Sequence, residues 1–266
     1  MGIQRSSFYN WKQSIANPSA RTRKLMDCTK LLSEYHERFP LRDHKWLNAK
    51  LRLDTGLEIT DAYALRCCTN AGIRSRVTHY RYRKHEGSGK VYPNLLLSEM
   101  QVPGPGVCYV GCTAELPFGG HAAALTLYVD FWNYEITAWT LRVDAEVYHG
   151  PEPTAFPALH PELPVLLQTD NSVLYSGLEF RELLPMYSIP QTVTHTKLPS
   201  DTAVMEAISG WLRTELFAEL RPEQTDAAGH DNAAGLLDEH MRYFNEACPL
   251  AALCYLTPLQ FRQTYG

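Results

Sequence analysis

Three stretches of this 266-residue chain carry side chains whose type and setting could do chemistry. The first is RSRVTHYRYRK, residues 74 to 84, which interleaves Arg74, Arg76, Arg81, Arg83 and Lys84 with Tyr80 and Tyr82. Cations at that density can lie along phosphates, and the rings between them can stack on bases. The same composition would also suit a solvated linker. The second is Asp170, which follows the apolar run Val165 to Leu167. A carboxylate at the C-terminal end of a buried strand is well placed to reach a site; the bland alternative is an aspartate in a surface turn. The third is Glu206, in a helical pattern that buries Val204, Ile208, Trp211 and Leu212. Residues 206, 209 and 213 share another face of that helix, so Arg213 could meet a phosphate on the side of Glu206. The alternative is a solvated helix acid. A zinc site built from His36, His44, Cys67 and Cys68 fits poorly. Zinc-binding cysteine pairs are normally spaced by two or more residues, and adjacent helical residues point about 100° apart. Buried or partly exposed thiols are expected there.

The elements that must position these residues fall into two regions. Residues 1–24 are polar, with Phe8, Tyr9 and Trp11 among them. Helical periodicity then predicts helices over 25–38, 43–55 and 60–71. Leu31, Leu32, Tyr35 and Phe39 form one face of the first, which Pro40 stops. Trp46, Leu47, Leu51 and Leu53 are the apolar positions of the second, with Gly56 as its stop. Thr60 or Asp61 can cap the third, and Gly72 ends it. Three short helices followed by a basic tail suggest a DNA-binding, helix-turn-helix-type unit over residues 1–85. Residues 86–106 read as a Pro/Gly-rich linker. Beyond it the period changes to two, with strands predicted over 107–113, 123–131, 134–142, 164–169 and 190–195. Helices are predicted over 177–186, 201–219 and 233–246. That alternation argues for a mixed sheet with helices on its faces over residues 107–266. Five prolines between Pro151 and Pro164 exclude a regular helix there.

Charge divides along the same line. Residues 1–92 hold 18 Lys/Arg against 8 Asp/Glu, and residues 93–266 hold 7 against 21. A basic first third on an acidic remainder suggests a nucleic-acid-facing arm. Seven cysteines without a framework spacing fit a reducing cytosol. No apolar run approaches the ~20 residues of a membrane span, and the N-terminus lacks the apolar core of a secretory signal. The expected location is cytoplasmic, without membrane association.

Six phrases then fall into register. They are QRSSFYNWK near the start, PNLL at 93–96 and LYVDFWNYEITAW at 127–139. LQTDNSVLYSGLEFRELL at 167–184, LPSDTAVMEAISGWLRTEL at 198–216 and FNEACPLAALCYLTPLQF at 244–261 complete the set. In this order the chain resembles the second-frame catalytic subunit of insertion-sequence transposases with a retroviral-integrase-type core, the DDE superfamily. The resemblance covers nearly the whole chain. It implies an RNase H-like core, a five-stranded mixed sheet with helices on both faces, and three carboxylates that hold two Mg²⁺ (or Mn²⁺) ions. The implied function is transposition and DNA integration by metal-dependent strand transfer on the ends of a mobile element. The implied partners are element-end and target DNA, further copies of the chain, and an upstream-frame helix-turn-helix protein.

The resemblance maps two of the three metal-binding carboxylates, Asp170 and Glu206, with 35 residues between them, as the family spacing requires. The first belongs in a phrase like Trp-x-x-Asp-x-Thr. Here that phrase reads Cys108-Tyr109-Val110-Gly111-Cys112-Thr113: the threonine matches and the aspartate does not. Glycine brings no ligand, so strand transfer is expected to be weak or lost, unless metal binding is reorganised around Asp170, Glu206 and a substitute acid such as Glu115 or Asp130. Glu115 shares the face of Gly111 but lies about 13 Å along the strand. Asp130 ends the second predicted strand, in a phrase the family also keeps, and reads as a structural residue or as one that supports the metal ligands from behind. Arg213 stands where the family usually has Lys; Cys248 and Leu250 replace an Arg and a His near the C-terminus. The second reading from these departures is a repurposed, non-catalytic module that binds DNA or protein.

Overall fold

The computed structural model describes residues 5–74, 102–118, 121–143, 146–147, 165–169, 189–193, 199–216 and 230–266. The chain divides into two compact units, Met1–Thr78 and His79–Gly266.

The first unit contains α1 (Arg5–Ala16), α2 (Ala20–Arg38), α3 (His44–Thr55) and α4 (Asp61–Asn70). Side-chain caps set three of the helix starts. Ser19 accepts from the Thr22 amide, Asp43 from the Trp46 amide and Thr60 from the Tyr63 amide, each satisfying a donor that the first helical turn leaves open. Gly56 ends α3 in the left-handed conformation at φ 71°, as glycine at that position favours. The core between α2, α3 and α4 holds Leu32, Leu47, Leu51, Ala64 and Cys67, all fully buried. Polar groups lock the helices further. Buried Lys50 and Tyr35 both reach Asp54, at 2.8 and 3.0 Å. Asn48 donates to the Ile59 carbonyl and to Asp61, pinning the α3–α4 connection. The three predicted helices are therefore present. The α1 helix was not legible as one, because its apolar stripe is short and set in polar surroundings.

The second unit is built on a mixed sheet. Its strands are β1 (Cys108–Phe118), β2 (His121–Asp130), β3 (Ile136–Val143), β4 (Glu146–Val147), β5 (Leu166–Thr169) and β6 (Gln191–Val193). The order across the sheet is β4-β3-β2-β1-β5-β6. The first three long strands form an antiparallel meander, and β5 and β6 run parallel to β1. Apart from the two-residue β4, this is the expected five-stranded RNase H-like arrangement. The short strand lies just before the run of prolines that begins at Pro151; it pairs only Arg142 with Val147 and Val143 with Glu146.

The first part of β1, Cys108–Cys112, is buried. Cys108, Val110 and Cys112 point one way, as do Leu125, Leu127 and Val129 of β2. Tyr109, Gly111 and Thr113 point the other way, with Thr126, Tyr128 and Asp130. On this second face Tyr109, Tyr128, Leu167 and Ile189 form an apolar cluster. Helix α5 (Pro199–Trp211) continues into a π-helical turn, Leu212–Leu216, and packs against β1. Helix α6 (His230–Ala247) packs against β3. The two helices meet where Trp211 stacks on Phe244, 4.6 Å between ring centres. A 3₁₀ turn and α7 (Pro258–Tyr265) end the chain; Thr257 and Gln260 close a reciprocal cap on α7. The predicted helix over 177–186 lies outside the described residues.

Candidate active site

Gly111 stands in the middle of β1, buried, with Tyr128 directly across on β2. On its other side β1 runs parallel to β5, and the last paired residues are Val110 and Gln168. Strand β5 ends at Thr169, fully buried and held by a 2.9 Å bond from Gln191. The backbone thus brings Gly111 beside the end of the strand that leads to position 170. Asp170 itself lies outside the described residues. Glu206 lies in α5, next to buried Met205 and two residues from buried Val204 and Ile208; its side chain is not among those described. Arg213 lies in the π-helical turn, where each residue advances less around the axis than in an α-helix. Arg74 is exposed at the end of the first described stretch. Arg76, Arg81, Arg83 and Lys84 lie outside the described residues.

A divalent ion pair needs hard oxygen donors, with carboxylates bridging the metals. The described residues near Gly111 do not fit that need. Gly111 has no side chain. Thr113, the matching residue of the phrase, shares a 2.9 Å hydrogen bond with Thr126 across the strands. Glu115 is exposed, further along β1. Asp130 is the nearest buried acid on this face, but its oxygens are committed. Oδ2 accepts from the Gly106 amide at 2.6 Å, and Oδ1 from the Trp132 amide at 2.8 Å. Burial pushes the Asp130 carboxyl above its ordinary pKa, against the opposing pull of the backbone amides of Gly106, Trp132 and Asn133. Asp130 is an architectural acid, as its place at a strand end suggested. Among the described residues no group of three or more His, Cys, Asp or Glu could hold a metal ion. Cys67 and Cys68 are buried free thiols, and burial pushes Cys68 up to about 11.

The structure adds a polar corner that the sequence did not announce. Asp130 ends β2, and the turn to β3 is fixed from several sides. Tyr134 takes a left-handed conformation at φ 63°. Glu135 accepts from Asn133 at 3.0 Å and pairs with Arg262 of α7 at 3.2 Å. Trp132 meets Phe261 of α7 edge to face, 5.0 Å between ring centres. Asn245 of α6 binds both the amide and the carbonyl of Ile136, at 2.9 and 2.8 Å, as a neighbouring strand would. Asp238 of the same helix accepts from the Trp139 indole at 2.8 Å. Spacing gives one hint: 238 and 245 are seven apart, on one helical face. Their partner, however, is a strand more than 90 residues away.

No family model matches the chain. Over 268 aligned residues it is 24% identical to a protein described as transposase InsK for insertion sequence element IS150 of Escherichia coli (strain K12). That alignment covers 99% of this chain and 91% of the relative. Among solved structures, an intasome of simian T-cell lymphotropic virus in complex with PP2A regulatory subunit B56 gamma aligns over 81% of this chain and 74% of its own, at 18% identity and a TM-score of 0.40. The dimeric HTLV-2 integrase catalytic core domain in complex with magnesium aligns over 61% of this chain and 99% of its own, at 14% identity and a TM-score of 0.39. Among the described residues no helix is long and apolar enough to cross a membrane. Along nearly all of its length the chain is thus similar to a protein described as an insertion-sequence transposase, and its strand order is that of an RNase H-like core.

Proposed function

We propose that this chain is a DNA-acting protein of transposase descent whose metal-dependent strand transfer is severely impaired. One observation carries the reading. The mid-strand position where the resemblance expects a metal-bridging aspartate is Gly111, buried in β1 beside the end of β5. In this reading Asp170 and Glu206 are the two remaining metal-binding carboxylates, for Mg²⁺ or Mn²⁺. The metals would activate the attacking oxygen and stabilise the leaving one. With one carboxylate missing, the loss in rate is on the order of a thousandfold or more. Arg74, Arg76, Arg81, Arg83, Lys84 and Arg213 are the proposed contacts to DNA phosphates. The proposed partners are element-end and target DNA and further copies of the chain, with an upstream-frame helix-turn-helix protein as a fourth component. A DNA- or protein-binding module without chemistry is the second reading, favoured by the commitment of Asp130 to backbone amides, which leaves no described substitute acid.

The test is strand joining on terminal-repeat DNA with Mg²⁺ or Mn²⁺, comparing the native chain with Gly111→Asp. Gly111→Asp is expected to exceed the native chain by about three orders of magnitude. Equal activity in the two would mean that another acid completes the site. Binding without joining in either variant would favour the module.

A further inference from the structure

Helix α1 presents exposed aromatic rings in a segment free of acids. Phe8, Tyr9 and Trp11 are 47, 55 and 59% exposed. Phe8 lies 5.8 Å from the Tyr9 ring and 6.0 Å from the Trp11 ring, so the three form one patch on a short helix. Around them the first 26 residues contain Arg5, Lys12, Arg21, Arg23 and Lys24 and no aspartate or glutamate. Rings of this size left in water are costly unless something covers them, and the surrounding charge selects what can.

We infer that the α1 patch is a stacking platform for unpaired bases of single-stranded DNA, with the neighbouring arginines and lysines on its phosphates. Two considerations favour this occupant over a second copy of the chain. The stripe Phe8, Trp11 and Ile15 has heptad-like spacing, but it spans one 12-residue helix, whereas a coiled coil needs at least three heptads. Pairing two copies of α1 would also bring Arg5 and Lys12 of each toward like charges, with no acid in the helix to offset them. Base stacking needs only an exposed π face and nearby cations, both of which are present. Strand transfer exposes unpaired ends, so the inference rests on the DNA-acting reading and gives α1 a part in it apart from the basic tail 74–84.

The experiment uses the full chain and two labelled probes, oligo-dT of about 20 nucleotides and a blunt duplex of equal length. Trp11→Ala is compared with the native chain by fluorescence anisotropy; circular dichroism checks the fold, and mass in solution is followed in parallel. The expected result is about a tenfold loss of oligo-dT affinity with duplex affinity unchanged within about twofold. Trp11→Tyr should restore most of the loss. Lys12→Gln should weaken both probes alike, since phosphates are common to both. Equal losses on both probes from Trp11→Ala, or no loss on either, would overturn the stacking platform while leaving duplex binding intact. A fall in mass from dimer to monomer would reassign the patch to a second copy. If the native chain binds neither probe, the DNA-acting reading falls with it.

Discussion

The β2–β3 corner and the middle of β1 lie on one face of the same sheet, and they differ in what their polar groups do. At the corner a buried carboxylate, a bidentate asparagine, an ion pair and an edge-to-face ring contact fix the turn and tie the sheet to α6 and α7. In the middle of β1, where the resemblance places chemistry, the residue is glycine. The corner's polar groups satisfy backbone donors and acceptors that would otherwise be buried without partners, and losing one carries a folding cost. The carboxylate that the resemblance expects in β1 would serve a metal and not the fold. The acid that supports architecture is present, while the acid that the resemblance expects in β1 is replaced by Gly111. Under the proposed function, fold and chemistry are separable in this chain, and the resemblance does not carry activity with it.

That contrast can be broken by mutating the corner. The largest effect should come from Asp130→Ala, which leaves the buried Gly106 and Trp132 amides without their acceptor. We expect a loss of about 3 kcal/mol in a urea titration. A loss within error would show that the corner is not architectural. Asn245→Ala removes two bonds to the Ile136 backbone and should cost about 2 kcal/mol. Gly106 holds φ at 79° while donating to Asp130, so Gly106→Ala should cost about 1 kcal/mol through the left-handed conformation alone.

A smaller, pH-dependent effect would sharpen the account. Burial raises the pKa of Asp130 in the folded chain, so the folded state takes up this proton at a higher pH than the unfolded state. The resulting stability is complete below the ordinary carboxylate pKa and is lost as pH rises through the raised value. Relative to Asp130→Asn, which does not titrate there, the native chain should gain stability as pH falls through that window. The opposite slope would mean that the backbone amides outweigh burial.

Much of this was legible in the sequence, for definable reasons. Strands β1, β2 and β3 were visible because each is long and strongly apolar, and α2 to α4 because Pro40, Gly56 and Thr60 mark their ends. Six phrases in register carried the family, and a single residue, Gly111, carried the doubt about its chemistry. Helix α1 was hidden because its apolar stripe, Phe8, Trp11 and Ile15, is short and set in polar surroundings. The roles of Asn245 and Arg262 were hidden because their partners, Ile136 and Glu135, are more than 100 residues away in sequence, and no local pattern encodes such a contact. Asp130 could be read as structural, but the two amides it holds could not, since Gly106 belongs to what reads as a linker.

The most direct test of the central claim measures metal rather than DNA joining. Free Mn²⁺ is followed by electron paramagnetic resonance during titration of the full-length native chain and of Gly111→Asp. The account predicts that the native chain binds Mn²⁺ weakly and that Gly111→Asp binds it at least about tenfold more tightly, the aspartate restoring a hard anionic donor. Two tightly bound ions on the native chain, unchanged by Gly111→Asp, would contradict it and would require a substitute acid at the end of β1.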